Sequence, residues 1–412
     1  MTTSITADEL IERIKRGEVF DGLELQGSLL EKAELGACKI CHCDLSESKM
    51  ASARLQKAHL TGSRFDRADL RYASLDGVIA NKASFDGARF HATGLEGFHG
   101  EGAIFSSVEF EKINAESAYL SGSEWDYATL SDVNFSGVSC IDHAKFREVD
   151  CEAVFFNGVE ADGIEFRDSQ LRLVSFYRAN ITGATLEGSR LCRVNFDECR
   201  LLHSNLRELK AVQCTFKSAQ LETSDLSETV FEDCDLSGTS LPGACLRRIT
   251  TLGKVTFRGA DLENTDLSFS LLNGADLSGS SLRGARLKQA SLKNTNFENA
   301  QVEGANFSAA RLEDADLTGC CFNGATLQEA ICHGACFENA DLRGATLTDA
   351  VLEGALLVGA RVEWTGLSQA SFAAGDLEGA ILCSSAPGID ATPKGIPVDA
   401  ALAQKLSELA GN

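Results

Sequence analysis

Residues 275–294 read ADLSG SSLRG ARLKQ ASLKN, four consecutive five-residue units with leucine at the third position of each. The spacing continues in both directions, so that every fifth residue from Phe257 to Leu382 is Leu, Phe, Val or Cys. The residue two positions earlier is small, and most often it is alanine. A period of five fits neither an α-helix nor a half-buried strand, and it therefore indicates an internal structural repeat.

The five positions of a unit divide into an inward and an outward set. We expect the central residue and the small residue two before it, such as Leu277 and Ala275, to fill a narrow core. One large and one small side chain per unit can do so without voids. The other three positions carry mostly polar and charged residues or glycine, so they are expected to face water.

With this pattern the chain resembles the pentapeptide-repeat proteins, over about residues 23–384. The resemblance implies an all-β solenoid, a right-handed quadrilateral β-helix in which each pentapeptide forms one side. Four pentapeptides then make one coil of about 20 residues. It also implies a choice of functions, because members of the family resemble DNA and bind type II topoisomerases, act as translocated effectors, or accompany type VI secretion components.

The repeat region has three phases. The central residues Phe135 and Phe146 are 11 positions apart, as are Leu246 and Phe257, so each junction carries one extra residue. Such an insertion can bend or re-aim a β-structure. The predicted domains are a capping-helix segment (1–22), the repeats in their three phases (23–140, 141–250 and 251–384), and a linker with a C-terminal helix (385–412).

Both ends of the repeat region are predicted to carry a short helix. Thr6 and Glu9 form a capping-box pattern at the start of a helix over 6–16, which is expected to cover the open edge of the first coil. Residues 398–410 predict an amphipathic helix that packs on the last coil or on a second copy of the chain. The sequence therefore leaves a monomer and a dimer through the C-terminal helix as alternatives.

The composition limits the compartment and the partners. The 412 residues carry a net charge of −22, which argues against direct binding of nucleic acid. No secretory signal and no apolar run long enough to span a membrane are recognisable. We therefore expect a cytoplasmic bacterial protein whose 15 cysteines are mostly reduced.

One stretch resembles a cofactor motif. Cys38, Cys41 and His42 match the C-x-x-C-H pattern of covalent haem attachment, and with Cys43 they also suggest zinc. The repeat places Cys38 and Cys43 inward but Cys41 and His42 outward, so the four side chains are not expected to converge. Since a filled core also offers no catalytic pocket, we expect no catalytic residue, no metal, no cofactor and no enzyme activity.

Charge is unevenly distributed over the sides of the third phase. The side centred on Leu277, Phe297 and Leu317 carries a single base, Arg258. Its acids are Asp276, Glu298, Asp316, Glu338, Asp376 and Glu378. Such a column can present a DNA-like field to a basic cleft, or it can simply keep the protein soluble. Two outward aromatic residues, Phe269 and Trp364, are candidate interface anchors, with corner packing as the alternative.

Two functions follow from these observations. The favoured one is a non-catalytic protein–protein interaction scaffold or adaptor, including service in a bacterial type VI secretion system, because residues 9–25 resemble the helix-to-repeat entry of that group. The alternative is a DNA-mimicking inhibitor or protector of type II topoisomerase (gyrase). The expected partner is accordingly a secretion component, a cargo protein or a topoisomerase.

Overall fold

The described residues of each half of the chain form a four-sided parallel β-solenoid. The computed structural model describes residues 6–363, 370–371 and 379–383. It divides the chain into two compact units, Met1–Leu209 and Lys210–Asn412. Within each unit, successive coils pair in parallel through short strands and single bridges. The all-β solenoid predicted from the five-residue period is therefore confirmed.

The regular elements are short. A helix, α1, spans Ala7–Lys15. The first unit contains the strands β1 (Val19–Asp21), β2 (Lys39–Cys41), β3 (Arg89–His91), β4 (Glu109–Asn114), β5 (Thr129–Asn134), β6 (Asp150–Phe155), β7 (Gln170–Arg172) and β8 (Arg190–Cys192). The second contains β9 (Lys210–Val212), β10 (Val230–Glu232), β11 (Thr250–Leu252), β12 (Arg361–Glu363) and β13 (Ile381–Cys383). In the first unit β1 pairs with β2, and β3 to β8 pair in chain order. In the second, β10 lies between β9 and β11, and β12 pairs with β13.

Each five-residue unit forms one side and one corner of a coil. The N–H of Leu282 donates to the carbonyl of Gln301 on the next coil at 2.7 Å, and Ser281 pairs with Gln301. At the corner, the N–H of Ala285 donates to the carbonyl of Leu282 at 3.0 Å. Gly284 has a φ of +65° there, as a type II turn requires of its third residue. Four such units bring the chain back to the same side.

The two inward positions fill the core, as predicted. Leu282 and Ala285 are both fully buried. In the first unit aromatic rings stack along the core, with centroids 5.1 Å apart from Phe85 to Phe105 and 4.2 Å apart from Phe105 to Trp125. These contacts join consecutive coils directly, so the core is continuous within the unit.

One coil exchanges the large and small inward residues. Phe98 occupies the position that is usually small, and Gly100 occupies the central position. A Cβ atom at Gly100 would lie 2.5 Å from a ring carbon of Phe98, so only glycine leaves room for that buried ring. The total volume of the core is thereby kept nearly constant.

The extra residues of the sequence change the pairing offset. Glu109 pairs with Thr129 at an offset of 20, whereas Thr129 pairs with Asp150 at an offset of 21. In the second unit Thr215 pairs with Asp235, and Asp235 pairs with Thr256, with the same change of offset. The central residues remain buried on both sides of each insertion.

The N-terminal helix is found where the sequence predicts it. The N–H of Glu9 donates to Oγ1 of Thr6 at 3.3 Å, and Leu10 and Ile14 are the buried residues of α1. The predicted helix over 398–410 lies outside the described residues, so its packing and the oligomeric state remain predictions. The division of the chain into the predicted domains likewise remains a prediction.

Candidate interaction surface

One side of the second unit carries a column of acids. Asp276 pairs with Asn296, Asn296 with Asp316, and Asp316 with Cys336. Glu298 follows Asn296 by two residues on the same side, just as Glu338 follows Cys336. Each of four consecutive coils therefore contributes one carboxylate. We call Asp276, Glu298, Asp316 and Glu338 the acidic face, and the side that bears them the Leu277 side.

The two aspartates of the acidic face also bind the backbone. The N–H of Ser278 donates to Oδ1 of Asp276 at 3.0 Å, and the N–H of Thr318 donates to Oδ1 of Asp316 at 3.0 Å. Both aspartates are half-buried, whereas Glu298 is exposed. An aspartate before a central residue thus closes an Asx-type turn across that residue. The five-residue pattern predicts only that these aspartates face water, and it does not reveal this structural role.

The neighbouring sides pair several of their acids with bases. On the side centred on Leu282, which we call the Leu282 side, Arg283 lies 3.7 Å from Glu263 on the preceding coil and 3.4 Å from Glu303 on the following one. On the side centred on Leu292, Lys293 lies 3.0 Å from Glu313. These ion pairs link consecutive coils and neutralise much of the charge locally.

Among the described residues, the carboxylates of the acidic face do not form such ion pairs between coils. Within the described part of the chain, no ion pair involves any of its four carboxylates. Arg258, the base predicted on this side, is exposed one coil before Asp276 and likewise has no ion pair there. The acidic face is therefore, as far as the structure describes the chain, a row of four carboxylates without an ionic partner, whereas the adjacent sides pair part of their acids with arginine or lysine.

The other predicted surface residues have different positions. Phe269 lies on the side centred on Leu287, two sides away from the acidic face, and is 39% exposed. Trp364, Asp376 and Glu378 lie outside the described residues.

The cysteine-rich stretch is split as the repeat predicts. Cys38 and Cys43 are buried in the core, whereas Cys41 is half-buried and His42 is exposed, with Nδ1 2.8 Å from Oδ1 of Asp21. Burial raises the pKa of the Cys38 thiol to about 12, so this sulfur is a poor metal ligand at neutral pH. Across residues 6–363, 370–371 and 379–383, no three His, Cys, Asp or Glu side chains are arranged to hold a metal ion.

A shallow depression of about 310 Å³ lies on the first unit, above the buried ring of Phe90. Its charged lining residues are engaged with one another or with neighbours. Arg89 lies 3.7 Å from Glu109, Nδ1 of His91 lies 2.7 Å from Glu111, and Arg71 is bound to Asp69. Among the described helices, none has the length and apolarity needed to cross a bilayer.

Three solved structures are similar to this chain. A pentapeptide repeat protein of the Arabidopsis thaliana thylakoid lumen is 33% identical over 24% of this chain and 70% of its own, with a TM-score of 0.24. HetL, a pentapeptide repeat protein involved in heterocyst differentiation regulation in Nostoc sp. strain PCC 7120, is 25% identical over 61% of this chain and 89% of its own, with a TM-score of 0.23. A trypsin-treated variant of QnrB1, a plasmid-mediated fluoroquinolone resistance protein, is 21% identical over 57% of this chain and 98% of its own, with a TM-score of 0.25.

The family comparison covers more of the sequence. No curated protein matches the chain. The model of the family described as pentapeptide repeats matches residues 48–87, 175–208, 214–250, 252–289, 270–308, 305–344 and 345–382. Together these ranges include more than half of the chain, and the pairing described above is that of a β-helix built from five-residue units. The chain therefore belongs to the pentapeptide repeat family.

Proposed function

We propose that the chain is a non-catalytic interaction protein, a scaffold or adaptor, whose acidic face binds a basic surface of a partner protein. The observation that carries this proposal is the contrast in charge pairing between adjacent sides. Arg283 joins Glu263 and Glu303, whereas among the described residues no such ion pair involves Asp276 or Glu298. Members of the family are generally structural or interaction proteins rather than enzymes.

Unpaired carboxylates in a row favour association with a basic partner. Charges that already have an intramolecular partner gain little from a second one, and they lose their existing contact when they are desolvated. Carboxylates without an ionic partner steer a basic surface and pair with it without breaking an existing ion pair. The partner is thus expected to carry lysine or arginine at a spacing that matches successive coils, about 4.8 Å apart.

A DNA-mimicking inhibitor or protector of type II topoisomerase is the second candidate, and the run of acids along one side favours it. The charge density is the main argument against it. One carboxylate per coil corresponds to about one charge per 4.8 Å, compared with about one per 1.7 Å along duplex DNA. The acidic face alone thus has about a third of the linear charge of DNA. A partner whose basic residues are spaced like the coils, about 4.8 Å apart, matches the acidic face better than a surface that is built to bind the denser charge of DNA.

Two further parts of the interpretation remain predictions. A role beside a type VI secretion apparatus depends only on the resemblance of residues 9–25. The cytoplasmic location is likewise a prediction from the sequence alone.

The proposal is tested by affinity capture from a lysate of the source cells, with two variants of equal charge. The acidic-face variant carries Asp276→Asn, Glu298→Gln, Asp316→Asn and Glu338→Gln, in which the asparagines keep the turn-closing oxygen. The control variant carries Asp261→Asn, Glu263→Gln, Glu303→Gln and Asp341→Asn on the Leu282 side. A partner captured by the wild type and the control but not by the acidic-face variant supports the proposal. Equal capture by all three contradicts it.

The second candidate has its own assay. A DNA mimic should inhibit DNA supercoiling by purified gyrase, or protect gyrase from a fluoroquinolone, and the acidic-face variant should lose that effect. If the wild type neither inhibits nor protects gyrase, the DNA-mimic function is excluded, while the adaptor function stands on the capture experiment.

A further inference from the structure

A second charged surface lies on the side of the second unit that is centred on Leu287. Cys245 pairs with Asp266, and Asp266 pairs with Arg286, so three consecutive coils meet there. Arg247 on the first coil, Phe269 on the second, and Arg286 with Lys288 on the third project outward from them. We call these four residues the cationic patch. It lies two sides away from the acidic face and is independent of it.

Phe269 occupies the corner position of its five-residue unit. Its φ is +65°, the left-handed conformation that this corner regularly adopts, as at Tyr72 (+60°) and Tyr127 (+61°). The residue is 39% exposed, so Phe269 is not part of the core of this unit. The guanidinium carbon of Arg247 lies 5.6 Å from the ring centroid, which fixes a cation over an exposed aromatic face.

The charges around Phe269 are predominantly positive. Arg286 and Lys288 are exposed, and no ion pair involves either of them within the described residues. The acid in the group, Asp266, accepts the N–H of Ser268 at 3.0 Å and lies 3.8 Å from Nε of Arg247. The chain as a whole has a net charge of −22, whereas the three cations and one acid around Phe269 give this patch a positive charge.

We propose that the cationic patch is a second docking site, for an acidic peptide segment of a partner protein with an apolar residue that packs on Phe269. Exposed aromatic and arginine side chains are the residue types that dominate binding energy at interfaces. The charge of the patch selects an acidic segment, and the negative charge of the whole chain disfavours nucleic acid. Arg247 and Lys288 are two coils apart, about 10 Å, which about three residues of an extended segment span.

The test measures binding of a fluorescein-labelled peptide in which one leucine is flanked by three glutamates on each side. The full-length chain is expected to bind it, and affinity should fall as salt rises from about 0.05 M to about 0.5 M. Phe269→Asn should weaken binding about fivefold, because the aromatic contact is lost. The double variant Arg286→Gln with Lys288→Gln should weaken it by a similar factor.

Matched variants separate binding from folding. Asparagine suits a φ of +65°, so Phe269→Asn is expected to keep or raise the unfolding temperature while binding falls. Tyr127→Asn removes an exposed tyrosine from the equivalent turn position, with φ +61°, in the other unit, and it should leave peptide affinity unchanged. The acidic-face variant should also bind the peptide with wild-type affinity. The test of the second site and the test of the proposed function therefore have independent outcomes.

Three results would overturn the second site. These are no saturable binding by the wild type, equal binding of a peptide with lysines in place of the glutamates, or unchanged affinity in both patch variants.

Discussion

Asp316 and Thr318 flank Leu317, and the N–H of Thr318 donates to Oδ1 of Asp316 at 3.0 Å across that buried leucine. The same short segment thus contains a core residue, a turn closure and a surface charge. Because these roles fall on adjacent residues, substitutions one position apart should have very different effects.

Leu317→Asp should destabilise the second unit by more than about 4 kcal/mol, because it places a carboxylate without a cationic partner in the fully buried core. Asp316→Asn keeps the oxygen that accepts from Thr318, so it should change stability by no more than about 0.5 kcal/mol. Urea unfolding followed by circular dichroism measures both. Similar losses in the two variants would contradict the inward and outward assignment.

Trp125 should be the most costly aromatic residue of the first unit to truncate. It is fully buried, stacks at 4.2 Å on Phe105 and 5.3 Å on Phe146, and its Nε1 donates to Oγ of Ser123 at 2.7 Å. Trp125→Ala should cost about 3–5 kcal/mol of stability. Trp125→Phe should cost clearly less, since a phenyl ring restores the stack. Thermal unfolding of both variants measures these losses of stability. Equal losses in the two variants would argue against the ring stack as the stabilising contact.

Cysteine reactivity should follow position in the repeat. Burial raises the pKa of Cys38, Cys320 and Cys332 to about 12, so at about pH 8 these thiols are both protonated and inaccessible. Cys41 and Cys192 are among the half-buried cysteines, which should be alkylated before the buried ones by iodoacetamide. Mass spectrometry of the labelled peptides gives the order of reaction. Labelling of Cys320 at the rate of Cys41 in the folded protein would contradict it.

Acid should destabilise the fold through aspartates that are bound to arginine. A hydrogen bond from Arg71 lowers the pKa of Asp69, and one from Arg343 lowers that of Asp341. A carboxyl whose pKa is lower in the folded than in the unfolded state stabilises the fold above the ordinary value of about 4. This contribution is lost as pH falls through the lowered pKa. Unfolding midpoints from about pH 7 down to about pH 2 should therefore decline less steeply in Asp69→Asn with Asp341→Asn than in the wild type. Equal slopes would rule out these two groups as the cause.

The sequence was sufficient to predict the core but not the surface contacts. The period of five assigned Leu317 inward and Asp316 outward because volume and polarity alternate strictly along the repeat. The exchange of Phe98 and Gly100 is visible as a glycine at a central position, but its reason, the space required by the Phe98 ring, becomes clear only when neighbouring coils are stacked.

The pairing of surface charges depends on a second period, the length of a coil. Arg283 and Glu303 are 20 residues apart in sequence and 3.4 Å apart in space. A comparison of charges at that offset would have separated Glu263 and Glu303, which Arg283 pairs, from the unpaired acids of the acidic face. The surroundings of Phe269 could have been found in the same way, since Arg247 and Lys288 lie about one coil before and after it.

The claim that the acidic face, rather than net charge, binds the partner is tested most directly by calorimetric titration of the captured partner with three proteins. These are the wild type, the acidic-face variant and the Leu282-side control, and the two variants differ equally in charge from the wild type. We predict that the acidic-face variant binds about tenfold more weakly or worse, while the control stays within about twofold of the wild type. Equal affinity of the two variants would contradict the claim.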